Sequence, residues 1–321
     1  MKKTISAILA VILCVSFCLL AASCGNTDKK YTVGIVQLVQ HVALDAATEG
    51  FKKALVDKLG ADNVVFDYQN ASGDTANCTT IVNNFVSNKV DLIMANATPA
   101  LQAAYNATQT IPILGTSVTE YGVALGIENF NGTVGTNVSG TSDLAPLDEQ
   151  AQMILDLFPE AKTVGLLYCS AEANSQYQVK VVKEYLEAKS ITCKTFTFSD
   201  SNDISAVTTA AASEVDVIYI PTDNAAASSA EIIGNILRDK KIPAIAGEEG
   251  ICAKCGVATL SISYYDLGYK TGEMAADILK GNKKVEEMPI AYAPTTKKYN
   301  KTIADELGIT IPDGFTAIEA E

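Results

Sequence analysis

Few side chains in this 321-residue sequence are equipped for covalent chemistry, and their spacing argues against most of it. Glu248 and Glu249 are adjacent carboxylates, but neighbouring side chains diverge, so they suit a hinge or cleft rim better than an acid/base pair on one bond. Cys252-Ala-Lys-Cys255 has redox-motif spacing. A thioredoxin-like site needs that pair right after the first strand, at a helix start, whereas here it follows Gly247-Glu-Glu-Gly250 late in the chain. A surface loop, open to closure by a local disulfide, is the expectation, and a zinc site lacks its second pair. His41 is the only histidine, which removes histidine-cluster metal sites and the usual serine or cysteine triads. Gly34 is followed by no second glycine until Gly50, and no Walker sequence occurs. No catalytic residue, cofactor or metal is expected.

The N-terminus sets an address. Lys2 and Lys3 precede an apolar run from Ile5 to Ala22 that stops at Ser23-Cys24-Gly25. That is the pattern of a secretory signal, and Leu20-Ala21-Ala22-Ser23-Cys24 resembles a lipobox. Residues 1–24 are read as a lipoprotein signal peptide with Cys24 lipidated, and residues 25–30 as a polar tether. A membrane-spanning anchor fits less well, because the run is near the lower length limit and ends in small residues. Localisation on the extracytoplasmic face of the cell membrane follows. Of eight cysteines, Cys14 and Cys18 lie in the signal, so Cys78, Cys169, Cys193, Cys252 and Cys255 remain beyond Cys24.

Composition limits the rest. Losing the signal removes Lys2 and Lys3 but no acidic residue, so the formal charge falls from −13 to −15. Such a surface is a poor partner for nucleic acid. Arg238 is the only arginine, so an anionic group on a ligand must be held by hydroxyls, backbone N–H groups or lysine.

From Tyr31 onward short apolar runs alternate with amphipathic segments. Thr32–Val36, Asn63–Phe66, Asp91–Met94 and Pro112–Leu114 read as buried parallel strands. Asp45–Leu59 and Asp74–Ser87 read as helices, with Asp74 as an N-cap. The series restarts with Thr163–Tyr168 (strand), Ser175–Lys189 (helix), Thr192–Phe198 (strand), Ile204–Ala212 (helix), Val215–Ile220 (strand), Ala225–Lys240 (helix) and Ala244–Ala246 (strand). The fold class is α/β, with two Rossmann-like lobes of parallel sheet flanked by helices. Residues 31–143 form lobe 1, completed by about 265–290, and residues 144–264 form lobe 2, completed by about 291–321.

In such sheets ligands bind beyond the carboxyl ends of the strands. That rule selects Gln37–Asp45, Asn96–Pro99, Gly115–Thr119, Ser170–Ser175, Pro221–Asn224 and Gly247–Gly250. These loops are rich in hydroxyls, amides and carboxylates, suited to a small polar solute held between the lobes.

Six segments carry a family likeness: Gln37-Leu-Val-Gln-His-Val-Ala-Leu-Asp45, Tyr68-Gln-Asn-Ala71, Ala97-Thr-Pro-Ala100, Ser170-Ala-Glu-Ala-Asn-Ser175, Ile220-Pro-Thr-Asp-Asn224 and Tyr264-Tyr-Asp-Leu-Gly268. In this order, over about Tyr31 to Tyr292, they resemble ABC-transporter substrate-binding proteins of the family that includes tryptophan- and tyrosine-binding lipoproteins. The resemblance implies a type I periplasmic-binding-protein fold with a cleft between the lobes. It also implies an ABC permease and its cytoplasmic ATPase as partners, and a monomer anchored to the membrane through its N-terminal lipid. Val118-Thr-Glu-Tyr121 departs from the family pattern, which has Asp-Pro after the threonine; Tyr121 either fills part of the pocket or packs beside it.

For an α-amino acid, helix N-termini suit the carboxylate. Thr98 and Ser117 are candidate hydroxyl donors, joined from the facing lobe by Ser170, Asn174 and Ser175. Asp223 is the candidate partner of the ammonium group, or else the N-cap of the helix at Ala225. His41 either lines the cleft or packs on its own lobe. Gln37 and Asn70 either organise their loops or touch ligand, and Glu249 is placed at the cleft rim. Tyr264 and Tyr265 are expected in core or hinge packing. The resulting expectation is a solute receptor of an importer, most readily for an aromatic amino acid. A sensory binding lipoprotein, or a receptor for a purine or small peptide, shares these features.

Overall fold

The computed structural model describes residues 30–318; the signal segment, Cys24 and the tether through Lys29 lie outside them. The first lobe alternates β1 (Tyr31–Gln37), α1 (Val42–Leu59), β2 (Val64–Asn70), α2 (Thr75–Asn88), β3 (Leu92–Asn96), α3 (Thr98–Ala107), β4 (Ile113–Val118), α4 (Tyr121–Leu125) and β5 (Val138–Ser142). All five residues of β3 are buried, as a strand covered on both faces requires. The stripe Ala47, Phe51 and Leu55 of α1 is buried, as is Cys78, Val82 and Phe85 of α2. Asp74 caps α2, its carboxylate accepting from Ala76 N at 2.7 Å.

The second lobe runs α5 (Leu147–Leu157), β6 (Thr163–Cys169), α6 (Ala173–Ala188), β7 (Thr192–Phe198), α7 (Ile204–Ala211), β8 (Val217–Ile220), α8 (Asn224–Ser228), α9 (Ala230–Lys240), β9 (Ala244–Ala246), α10 (Glu249–Cys255) and β10 (Ala258–Ser261). The single helix expected over Ala225–Lys240 is broken at Ser229, which caps α9. The chain then returns to the first lobe with α11 (Tyr264–Leu279) and β11 (Ala291–Tyr292), and to the second with β12 (Thr296–Tyr299), α12 (Lys301–Leu307) and β13 (Thr316–Ala317). The sheet orders are β11-β5-β4-β3-β1-β2 and β13-β12-β10-β9-β8-β6-β7, parallel except that β12 runs against β10. Ala291 and Tyr292, read from the sequence as part of lobe 2, pair instead with Thr141 and Ser142 of β5. The chain therefore crosses between lobes three times, at residues 143–146, 262–263 and 293–295.

Glycine decides how α11 docks on α1. A Cβ on Gly268 would stand 1.9 Å from the backbone oxygen of Ala47, and one on Gly50 2.1 Å from that of Tyr265. Backbone cannot yield at such distances, so both positions need a bare Cα.

Cys252 and Cys255 are not in a surface loop. They lie on α10 with Ile251, facing the lobe 2 core, and both are buried free thiols. Burial pushes both thiols well above their ordinary range, and the thiolate is the reactive form. Alkylation of the native protein at pH 8 is therefore expected to leave both unlabelled, with full labelling in denaturant; mass spectrometry reads the result, and native labelling at either position would contradict the packing.

Candidate functional site

The carboxyl ends of the strands in both lobes face one narrow cavity of about 10 Å³, room for about one water molecule. Lobe 1 supplies His41, Leu44, Ser117, Thr119, Asp143 and Tyr264; lobe 2 supplies Asn174, Thr222, Asp223, Asn224, Ala227 and Glu248. No lysine or arginine lines it. Arg238 is exposed on α9 and bonds Asn235, so it takes no part.

Local irregularities aim the polar groups. The pairing of β4 with β5 shifts register between Gly115 and Val118, and Ser117 sits there at φ +54°. A non-glycine residue in that region costs energy that the surrounding structure must impose. Ala97, which starts α3, holds φ +94° and turns the chain sharply from β3 into that helix. The hydroxyls that follow these two turns, Thr98 Oγ1 and Ser117 Oγ, are buried and make no hydrogen bond within the protein.

Three buried carboxylates line the cavity, and their oxygens are not equivalent. Asp223 caps α8 by accepting from Ala226 N at 2.8 Å, and its other oxygen accepts from Cys169 N at 2.7 Å. Glu248 caps α10, accepting from Gly250 N and Ile251 N. Asp143 accepts from Tyr264 Oη at 2.9 Å through Oδ2 and has the Thr119 hydroxyl beside it, while Oδ1 is buried without a well-formed hydrogen bond of its own. Asn174 is similar: its Nδ2 donates to Thr222 O at 2.9 Å, and Oδ1 has no partner. Burial raises the pKa of all three acids. For Asp223 the charge of Glu172 adds to the rise. Glu248 reaches about 7, with Glu249 and Asp143 as lesser causes after burial. The cavity is thus a cluster of acceptors with no cation of its own.

The sequence candidates divide by position. His41, Ser117, Asn174 and Asp223 line the cavity. Thr98 and Ser175 are buried and do not line it, although Ser175 bonds Asp223. The other four stand elsewhere. Gln37 is fully buried within lobe 1, where Nε2 donates to Asp45 and Oε1 accepts from Thr48. Asn70 Oδ1 accepts from Ser72 N and shapes its own turn. Ser170 is exposed and donates to Phe198 O. Glu249 points away from the cavity, accepting from Ser261 Oγ and pairing with Lys298 at 2.7 Å; Glu248 takes the place expected of it. Asp223 lines the cavity, but one oxygen caps α8 and the other accepts from Cys169 N, which fits the N-cap reading and leaves neither oxygen free for an ammonium group. Tyr121 packs in the lobe 1 core, its hydroxyl donating to Thr141 O, and does not line the cavity. Asp143 was not considered from the sequence; Thr119, Thr222 and Glu248 lie in the selected strand-end loops but were not singled out as ligand contacts, and Tyr264 was expected in core or hinge packing.

Two doubly wound lobes, three crossings and an acceptor-rich cleft define a two-lobed solute-binding protein of the type I periplasmic architecture. Residues 32–321 match the family described as ABC transporter substrate binding protein, and the chain belongs to that family. It is 38% identical over 312 residues to the tyrosine-binding protein of Clostridioides difficile strain R20291, covering 92% of this chain and 89% of that one. An ABC domain from Streptococcus pneumonia in complex with L-Trp is 33% identical, with a TM-score of 0.85 over 90% of this chain and all of that one. The ligand-free, open structure of a substrate-binding protein with adhesive properties from Clostridium difficile is 40% identical but has a TM-score of only 0.68, over 91% of this chain and all of that one. In the present structure both lobes line one cavity and touch across it.

Proposed function

We propose that this chain is the lipid-anchored, extracytoplasmic receptor of an ABC importer, and that it captures an aromatic amino acid, tyrosine or tryptophan, by closing its lobes. The captured solute is then handed to a membrane permease driven by a cytoplasmic ATPase. The observation that carries the reading is the pattern of unspent polar atoms. Two hydroxyls able to donate, Thr98 Oγ1 and Ser117 Oγ, lie at strand ends of lobe 1, and two acceptors lack partners, Asp143 Oδ1 just after β5 of the same lobe and Asn174 Oδ1 in the facing lobe. A buried polar atom left without a partner costs about 1–3 kcal/mol. A zwitterion supplies what both pairs lack, its carboxylate toward the hydroxyls and the N-terminus of α3, its ammonium toward Asp143. The names of the tyrosine-binding relative and the tryptophan complex support the aromatic side chain. Binding must widen the present cavity, since pockets for such ligands are at least about 300 Å³.

The test is calorimetry and thermal shift with tyrosine, tryptophan and phenylalanine, beside tyramine, which lacks the carboxylate, and 3-(4-hydroxyphenyl)propionate, which lacks the amine. The zwitterions are expected to stabilise the protein, by about 2.7 kcal/mol at 100 times Kd, and the two truncated compounds to leave it unchanged. Stabilisation by nucleosides or sugars with none by amino acids would refute the ligand class.

A further inference from the structure

One contact at the cleft mouth joins the lobes through side chains alone. His41 Nε2 of lobe 1 lies 3.4 Å from Asn224 Oδ1 of lobe 2. The orientation of Asn224 is fixed from behind by Glu172, a buried carboxylate. Glu172 Oε2 accepts from Asn224 Nδ2 at 2.6 Å, from Asn224 N at 3.1 Å and from Asn174 Nδ2 at 3.1 Å, while Oε1 accepts from Ala225 N at 3.0 Å. An acceptor at that position requires the amide nitrogen to face it, so Oδ1 is turned outward. The atom presented to His41 is therefore an acceptor, and Nε2 must carry the proton in the contact.

We propose that Glu172, Asn224 and His41 form a proton-sensitive latch that holds the lobes closed. The latch rests on the reading that the lobes open and close around a ligand, and not on which ligand it is. The neutral Nε2–H tautomer satisfies Asn224 fully. A second proton on Nδ1 places a charge where the lobes meet, at the N-terminal end of α1, whose dipole opposes a cation. The titratable and charged groups around His41 are Asp45 on its own helix, Asp143 in the same cavity, Asp223 and Glu248 across the cleft, Glu172 behind Asn224, and Glu231 and Lys254 along the outer groove. Burial lowers the pKa of His41 to about 4, outweighing the Asn224 hydrogen bond and the Asp45 charge, which both favour the imidazolium. With the lobes apart the ring regains its ordinary value of about 6.5. The closed form thus binds the proton more weakly, closing below that pH expels it, and acid favours opening. Between pH 7.5 and 5.5 the closed-to-open ratio should fall about tenfold.

Spin labels on α2 and α7 report the interlobe distance, without ligand and with L-tyrosine. The wild type is expected to lose closed population from pH 7.5 to 5.5, by about tenfold in the closed-to-open ratio without ligand. His41→Gln retains an N–H donor but cannot titrate, so whatever its closed fraction at pH 7.5, it should lose the part of the pH dependence due to the ring. His41→Ala should be more open at both values. The variants keep Asp143, Asp223 and Glu248, so a pH dependence as large in His41→Gln as in the wild type assigns it to the carboxylates and overturns the latch. A wild-type closed fraction that ignores pH also overturns it. Should L-tyrosine not bind, the aromatic amino-acid reading fails, and the ligand-free distances alone decide the latch.

Discussion

Asp143→Asn is expected to weaken binding of tyrosine about 100-fold while raising the stability of the ligand-free protein. Both directions come from one atom. Asp143 is buried, Tyr264 occupies Oδ2, and Oδ1 has no partner. In the ligand-free protein that is a carboxylate held away from water with no cation near it, which burial drives toward its protonated form. The amide keeps the volume and removes the buried charge, a relief to the empty protein. With an ammonium group in the cleft the position reverses. The charge-assisted bond is lost, and truncating one side of a buried charged pair costs about 2–5 kcal/mol, or roughly 30-fold to several thousand-fold in Kd. Calorimetry gives the affinity and denaturant titration the stability. A Kd within about threefold of wild type would remove Asp143 from the ammonium site. A loss of affinity accompanied by a loss of stability would instead assign it a structural role through Tyr264.

The largest effect on folding is expected at Gly268, far from any ligand contact. Gly268→Ala would set a methyl group 1.9 Å from Ala47 O and 2.6 Å from its carbonyl carbon. Neither atom is the end of a flexible side chain, so α11 must move off α1. Overpacking typically costs 1–3 kcal/mol, and with backbone as the obstacle the upper end, about 3 kcal/mol, is expected. Gly281→Ala is the control. It has φ +72° with nothing within 4 Å of the added methyl group, so only the left-handed backbone conformation is penalised, by about 1 kcal/mol. Denaturant midpoints compare the two variants; equal losses would show that helix contact is not what Gly268 serves.

Much of the fold was legible because its strands are short, apolar and regularly spaced. Thr163–Cys169, Thr192–Phe198 and Ala244–Ala246 lie within a residue of where the pattern put them, and the doubled series conveyed two lobes. Elements without a periodic apolar stripe escaped. α10 is seven residues long, starts at a glutamate cap and carries its buried face on Ile251 and two cysteines, so the motif spacing suggested a loop. The break at Ser229 was hidden because the alanines of α8 fit a longer helix equally well. In the site, the strand-end rule brought Ser117, Asn174 and Asp223 to the cavity, since each follows a strand of the pattern. It missed Asp143 and Tyr264, which lie at crossings between lobes and are joined by a bond spanning 121 residues of sequence. Nothing local in the sequence signals such a meeting. It also chose Glu249 over Glu248, because adjacent acids differ only in which way the helix start turns them.

The threefold crossing of the chain also bears on the order in which the molecule can assemble. Lobe 1 is the first part to be synthesised, yet the helix that covers one face of its sheet and the strand that closes its edge come from residues 264–279 and 291–292. At about 5–20 residues per second, β5 waits several seconds or more for them. In that interval Val33, Leu92, Met94 and Leu114 lack the cover of Met274 and Ala275. The strands β6 to β10 form a contiguous run, but one edge of their sheet is also closed late, by β12 and β13. Both lobes are therefore completed only by the last part of the chain, and neither sheet reaches its full width until synthesis is nearly over.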